Sequence, residues 1–314
     1  MKVGEFMTDL TVIILTKNEE VNLIKCVSSL QDLAKRIVVI DSYSTDRTEE
    51  ICRELKIDFY QHEFTDHASQ FNWALDNVDI NTQWSMRMDA DEELTVDLYS
   101  EIKTKLHQIK EPVNGIILKR RVYFLGKWIK HGDVYPQCLL RIFRTGTAIC
   151  EQKLMDEHIV LLSGTSITFD KDLIDNNTKD LEWWTQKHNW YSGKEMEEYL
   201  RGIKRIEEEE VHNIKPTLFK GQAERKRWIK DTIYYKIPLF TRPALYFCYR
   251  YFIKLGFLDG KQGVIFHFLQ GFWYRFLVDA KIYEYRRKTS SVELALKQSG
   301  SERVNETKNK TRSI

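Results

Sequence analysis

The sequence predicts an α/β protein: a Rossmann-like, nucleotide-binding mixed sheet flanked by helices, followed by a C-terminal amphipathic helical segment suited to association with a membrane surface. Three observations carry this. Over the first hundred residues, β-branched apolar runs alternate with segments of helical period. Three of the predicted strands end in polar clusters, where open α/β sheets bind ligands. Residues 226–288 gather 18 of the chain's 39 aromatic residues together with a net charge of +9.

The first element is the run from Leu10 to Leu15, apolar throughout, which suits a strand buried on both faces. Polar residues Thr16 to Glu20 follow, and Asn18 can cap a helix whose apolar positions are Val21, Ile24 and Leu30. A second strand, Ile37 to Ile40, ends at Asp41 and completes a βαβ unit. Helix 46–56, a short strand near 58–60, helix 68–78 and strand Trp84 to Met88 come next, and Asp89-Ala90-Asp91 closes that strand. Between 111 and 170 the segments 115–126, 138–144 and 163–169 read as strands of an antiparallel extension. Residues 172–225 read as charge-rich helices, with Glu207 to Glu210 on a solvated face, and the polar tail 289–314 as disordered.

With 314 residues the chain is long enough for one large domain plus an appendage, or for two domains, and too long for a stand-alone motif peptide. Its net charge of only +2 conceals an asymmetry, because residues 1–225 sum to −9. Five cysteines without C-x-x-C spacing point to a reduced, cytosolic environment, and the start of the chain does not read as a signal peptide.

The strand-end clusters Thr16-Asn18-Glu19, Asp41 to Asp46 (with Ser44) and Asp89-Ala90-Asp91 would line one crevice. Two carboxylates at i and i+2 can place one side chain on a divalent cation and the other on a ribose hydroxyl or the same ion's water. Hard oxygen ligands of this kind suit Mg²⁺ or Mn²⁺, which also binds substrate phosphates. Arg87 beside the triplet, with Arg141, Arg144 and Lys187, can contact a diphosphate or an acceptor phosphate. His158 and His188 are further candidates to reach metal or phosphate.

The stretches TVIILTKNEEVNL, IVVIDSYSTDRT, HASQFNWAL, MRMDADEEL, YPQCLLRIFR and WWTQKHNWYSGKE make the chain resemble a family 2 glycosyltransferase of the GT-A fold, in the lipopolysaccharide-core β-1,4-glucosyltransferase-like group. The resemblance covers roughly residues 10–200. It implies that Asp41 contacts the nucleotide base, Thr16 and Glu19 border the nucleotide, Asp89 faces ribose or diphosphate, and Asp91 binds the metal. It also implies an acidic catalytic base in the Asp156-Glu157-His158 cluster, Glu157 before Asp156, to deprotonate the acceptor hydroxyl in an inverting transfer. Where many relatives have Asp-Gly before Ser-Thr-Asp, this chain has Ser42-Tyr43, and the position before Asn72, often basic in relatives, is Phe71.

The domains expected are 1–225 for the transferase (10–110 nucleotide-sugar half, 111–225 acceptor half), 226–288 for the basic aromatic region and 289–314 for the tail. In 264–280, His267, Gln270, Gly271, Arg275 and Asp279 share one helical stripe and the apolar residues fill the remainder. That pattern fits a helix lying in the interface of an anionic membrane. Its longest uncharged run, Gln262 to Tyr274, is too short to span a bilayer. Packing on the catalytic domain or in a homo-oligomer is the competing use. Nucleic acid is not expected as a partner, because the aromatics recur at helical spacing among large aliphatic residues.

The expected function is therefore transfer of a hexose, glucose from UDP-glucose, to a lipid-linked saccharide at the inner face of a bacterial membrane. A transferase using another sugar nucleotide, a nucleotidyltransferase and a non-catalytic scaffold of the same fold are the alternatives.

Overall fold

A computed structural model describes residues 7–153, 155, 157–204 and 221–290. The expectations for Asp156, for Glu207 to Glu210 and for the tail beyond 290 lie outside these residues. The strands are β1 (Thr8–Thr16), β2 (Ala34–Asp41), β3 (Asp58–Gln61), β4 (Trp84–Asp89), β5 (Glu92–Leu94), β6 (Val113–Phe124), β7 (Lys127–Ile129), β8 (Gln137–Arg144), β9 (Ala148–Cys150), β10 (Ile159–Leu161) and β11 (Thr165–Asp175). The helices are α1 (Leu23–Ser28), α2 (Thr48–Glu54), α3 (His67–Asn77), α4 (Val96–Lys105), α5 (Leu181–Lys204), α6 (Gln222–Thr232), α7 (Thr241–Cys248) and α8 (Gly260–Phe266). Beyond α8 the chain passes through a wide π-helical stretch, His267–Trp273, into a helix over 274–290.

The main sheet has the order β3-β2-β1-β4-β8-β6-β11-β5, with β7 paired to β6. Strands β3, β2, β1 and β4 are parallel. Strand β8 runs antiparallel to both β4 and β6, whereas β6 and β11 are parallel, so the extension is mixed rather than antiparallel throughout. Strand β1 explains its own composition. Leu10, Val12 and Ile14 enter the layer formed with α1 and α4, and Ile13 and Leu15 enter the opposite layer with α3. Both faces are covered, so alternation gives way to a continuous apolar run. Each such side chain stabilises the fold by about 1.5–3 kcal/mol.

Three expectations change. Helix α1 starts at Leu23 and buries Leu23 and Cys26, while Val21 and Ile24 are exposed. Asn18 does not cap it; it sits in the left-handed region at φ 55°. Strand β11 continues to Asp175, into a stretch read as helical. Its charges are matched across the sheet, Asp172 pairing with Arg121 and Asp175 with Arg120, so polarity here marks strand pairing.

The third concerns the C-terminal segment, whose polar stripe faces inward. Asp279 and His267 are fully buried, and Asp279 pairs with buried Arg242. Asp259 accepts from the backbone N–H of His131 at 2.9 Å, and Arg250 Nε donates to the carbonyl of Gly132 at 2.9 Å. A side chain at Gly132 would collide with the His267 ring, so the loop after β7 can approach this helix only through glycine. Apolar residues on the far side, among them Phe252, Ile253, Ile265, Phe268 and Phe276, are exposed.

Candidate active site

The carboxyl ends of β1, β2 and β4 open into one cleft of about 2030 Å³, closed on its other side by α5, α6 and the segment that follows. Its floor is two loops sewn together. Asp41 is fully buried: Oδ1 accepts from Thr16 Oγ1 at 2.8 Å and from Ser44 Oγ at 2.5 Å, and Oδ2 accepts from Ser44 N at 2.7 Å. Asn18 N donates to Ser44 Oγ and Asn18 Oδ1 accepts from Thr45 N. Glu19 N donates to Thr48 Oγ1, and Lys17 Nζ to the carbonyls of Ser42 and Tyr43. Tyr43 occupies a left-handed position, φ 56°, which is the slot where a Gly would sit without strain. Asp41 thus holds the loop through both its oxygens and does not line the cleft, whereas Thr16, Asn18 and Glu19 do.

The triplet stands beside a dense charge network. Asp89 Oδ2 accepts from Arg141 at 3.0 Å, and Oδ1 lies 3.5 Å from Arg87 Nε. Burial opposes its ionisation, but Arg141, Arg87 and Arg120 outweigh that and hold the Asp89 carboxyl far below the usual range. Arg141 also binds fully buried Glu92 at 2.5 Å. Asp91 lines the cleft, and its Oδ2 accepts from Asn177 Nδ2 at 2.8 Å. Glu19 is tied to Lys179 at 2.6 Å and to Asn22 at 2.8 Å, and burial followed by the charge of Asp91 raises its pKa. Asp175 is pushed up to about 7 by burial, against Arg120 and with the help of Asp91, Glu92 and Asp89.

Among the described residues no group of three His, Cys, Asp or Glu converges as a ready-made metal cage. A Mg²⁺-type ion needs only one or two carboxylates when substrate phosphates supply the remaining oxygens. The Asp91 carboxylate lines the cleft and takes one hydrogen bond, from Asn177, so it fits such an ion.

Glu157 comes from the loop between β9 and β10 and lines the same cleft; its Oε1 lies 3.2 Å from Arg87 Nη2. Arg87 therefore links Asp89 on β4 to Glu157, which lies seventy positions after Arg87 in the chain. Among the described residues, the buried Nε atoms of Arg87 and Arg141 make no hydrogen bond. Lys187 lines the cleft over Trp183, 4.6 Å from the ring centroid. Burial works against its charge, yet Tyr191, Asp91 and Glu19 raise its pKa.

Other candidates are placed differently. His158 engages Glu151 through Nδ1 at 3.2 Å, and Glu151 also holds Arg227 of α6, so this histidine ties the loop to the C-terminal wall. His188 stacks on Trp184 with ring centroids 3.5 Å apart and hydrogen-bonds the Trp184 carbonyl; burial pushes it down to about 4. It lines the cleft as well, packed against Trp184, Tyr191 and Tyr274. Arg144 donates to the carbonyls of Val113 and Ile109 and lies over the Trp84 ring, outside the cleft. Arg144→Ala is expected to cost about 1–3 kcal/mol of stability by leaving two carbonyls unsatisfied, read by urea denaturation, with turnover per folded molecule unchanged. Lost turnover at an unchanged midpoint would contradict this placement.

Sequence reasoning missed Arg120, Asp175, Lys179 and Trp183, which also line the cleft. The first two meet only through the β6–β11 register, which no local pattern encodes.

A parallel half-sheet with a strand-end acidic triplet, a two-loop floor and a carboxylate on the opposite wall defines a nucleotide-binding α/β enzyme class. Residues 11–173, just over half the chain, match the model for Glycosyl transferase family 2, and the chain belongs to that family. It is 30% identical over 97 residues to an uncharacterized glycosyltransferase of Rickettsia typhi, covering 31% of this chain and 32% of that one. The match thus spans about a third of that relative's length. With the lipopolysaccharide core biosynthesis glycosyltransferase LpsC of Rhizobium meliloti it shares 26% identity over 281 residues, 88% of this chain and 92% of that one. S. aureus TarS 1–349 superposes at a TM-score of 0.43 with 14% identity, covering 90% of this chain and 92% of that one.

Proposed function

We propose that the protein is an inverting, metal-dependent hexosyltransferase that moves glucose from UDP-glucose onto a lipid-linked saccharide of bacterial lipopolysaccharide or cell-surface polysaccharide. The carrying observation is Arg87, which spans from Asp89 to Glu157 and so joins the donor-side carboxylate to a candidate base across one cleft. Residues 1–225 form the transferase, with nucleotide-sugar and acceptor halves meeting near residue 110, and 226–288 the surface-associating region.

Thr16, Asn18, Glu19 and Ser44 shape the nucleotide floor, with Asp41 locking it from below. Asp91, with Asp89 beside it, would hold Mg²⁺ or Mn²⁺, which when bound supplies positive charge to the diphosphate leaving group. Glu157 accepts the proton of the acceptor hydroxyl. The freed oxygen forms a bond to the anomeric carbon as the bond to the diphosphate breaks, and UDP departs with that electron pair. Arg87 orients Glu157, while Lys187 offers a cation to phosphate oxygens. Asp156 is the second candidate base. The assay is UDP release from UDP-glucose with Mn²⁺, in parallel with other sugar nucleotides. Release from none of them would overturn the reading, and release only from another sugar would correct the donor.

The lipid-linked acceptor is supported by the full-length similarity to a protein named for lipopolysaccharide core biosynthesis and by the exposed apolar side of the C-terminal helices. Ile253 is 71% and Phe252 57% exposed, with Lys254 and Lys261 beside this face. No helix among the described residues is long and apolar enough to cross a membrane. Helices that lie in the interface bind through apolar area plus about 1 kcal/mol per basic residue near anionic lipid. All five cysteines are free, which fits the reducing, cytoplasmic side.

Because Arg227 and Arg242 line the cleft, substitutions on the exposed face test this more cleanly than a deletion. The double variant Phe252→Asp, Ile253→Asp is expected to lose sedimentation with phosphatidylglycerol vesicles and to keep UDP release from the soluble donor. Undiminished sedimentation rejects the membrane role, and a fall in oligomer size on the same substitutions assigns the face to self-association.

A further inference from the structure

The wall that the C-terminal helices give to the cleft carries polar atoms that the reaction above does not use. Arg242 of α7 is 1% exposed, and its Nε and Nη2 donate to Asp279 Oδ1. Its guanidinium lies 5.4, 5.0 and 5.2 Å from the ring centroids of Tyr199, Tyr234 and Tyr235. Among the described residues, the remaining nitrogen, Nη1, is buried and finds no acceptor, and the hydroxyl of Tyr234 is buried and equally without a partner. Both residues line the cleft.

Buried donors are normally satisfied, and two orphans on adjacent side chains in a cleft wall are what a missing ligand group leaves behind. Arg275 and Lys230 meet Glu195, and Arg242 meets Asp279. Burial pushes the Tyr234 phenol up to about 12, so it stays protonated and able to donate.

We propose that Arg242 and Tyr234 form a subsite for an oxyanion, a phosphate or carboxylate carried by the acceptor saccharide, with Arg242 Nη1 and the Tyr234 hydroxyl donating to its oxygens. The word acceptor rests on the transferase reading; the oxyanion site does not. Lining the same cleft as the triplet, it would select anionic acceptors over neutral ones of the same size.

Tyr234→Phe is the decisive variant, because it deletes one oxygen and keeps the ring under Arg242. Removing an unsatisfied buried hydroxyl is expected to raise the melting temperature of the free protein. Binding of glycerol phosphate is read by thermal shift with UDP and Mg²⁺ saturating, so that the donor side is already filled. The dissociation constant is expected to rise about ten-fold in Tyr234→Phe, roughly the loss of one hydrogen bond to a charged group. The shift given by UDP and Mg²⁺ themselves should be retained. Equal glycerol phosphate affinity in both proteins, or a Tyr234→Phe protein less stable than wild type without anion, would overturn the subsite. A difference confined to phosphatidylglycerol vesicles, with none for glycerol phosphate, would move the oxyanion to a lipid headgroup and overturn the acceptor assignment. If UDP gives no shift while the glycerol phosphate effect still depends on Tyr234, the donor reading fails and the oxyanion site stands.

Discussion

Glu157→Gln is expected to lower kcat for sugar transfer by about 10²- to 10⁴-fold, the range lost with a positioned general base. The substitution keeps volume and an oxygen that can still accept from Arg87 Nη2, which lies 3.2 Å from Glu157 Oε1 in the wild type. Folding and donor binding should therefore change little, and the loss should fall on kcat. UDP affinity measured beside turnover separates the two. A variant turning over within about two-fold of wild type would remove Glu157 from the chemistry, and Asp156→Asn is then the substitution to make.

Asp91→Ala is expected to abolish metal-dependent turnover. The fold should survive, because Asp91 sits in a two-residue turn between β4 and β5 and its side chain is tied by one hydrogen bond, from Asn177. Loss of that bond costs about 1 kcal/mol. The effect on the reaction is much larger, since a diphosphate leaving group without its cation must depart with its charge uncompensated. Circular dichroism and a melting curve near wild type, together with lost turnover, are the expected pair of results. Full activity would remove Asp91 from the site.

Asp41, Asp89 and Asp91 were legible because they lie where local pattern and topology coincide, whereas Glu157, in a loop, came only through the family resemblance. Leu10 to Leu15 is a buried strand by composition, Asp41 and Asp89 end strands, and parallel pairing brings those ends to one edge. Legibility ended where long-range pairing decides. The α1 face was misread because Val21 and Ile24 are as apolar as Leu23 and Cys26, and only the neighbouring sheet selects which pair is covered. Arg144 carries a side chain suited to a phosphate, but Trp84 and the carbonyls of Val113 and Ile109 hold it outside the cleft. Asp175 and Arg120 became visible only through strand register.

The C-terminal stripe is the most instructive case. Its period was readable, but His267, Arg275 and Asp279, which pattern assigns to water, pack against Gly132, Glu195 and Arg242, and the apolar side is left outside. Helical period gives the faces; the partners decide which one is inward.

The central claim is that Asp91 and a divalent ion together hold a nucleotide diphosphate. Calorimetric titration of UDP into the wild type and Asp91→Ala, each with Mn²⁺ and with chelator, tests it most directly. Wild type should bind UDP at least about ten-fold more tightly with Mn²⁺, a difference of about 1.4 kcal/mol or more, and Asp91→Ala should bind it weakly and equally in both conditions. UDP affinity in the wild type that is unchanged by chelator, or a Mn²⁺ effect that survives Asp91→Ala, would contradict the account.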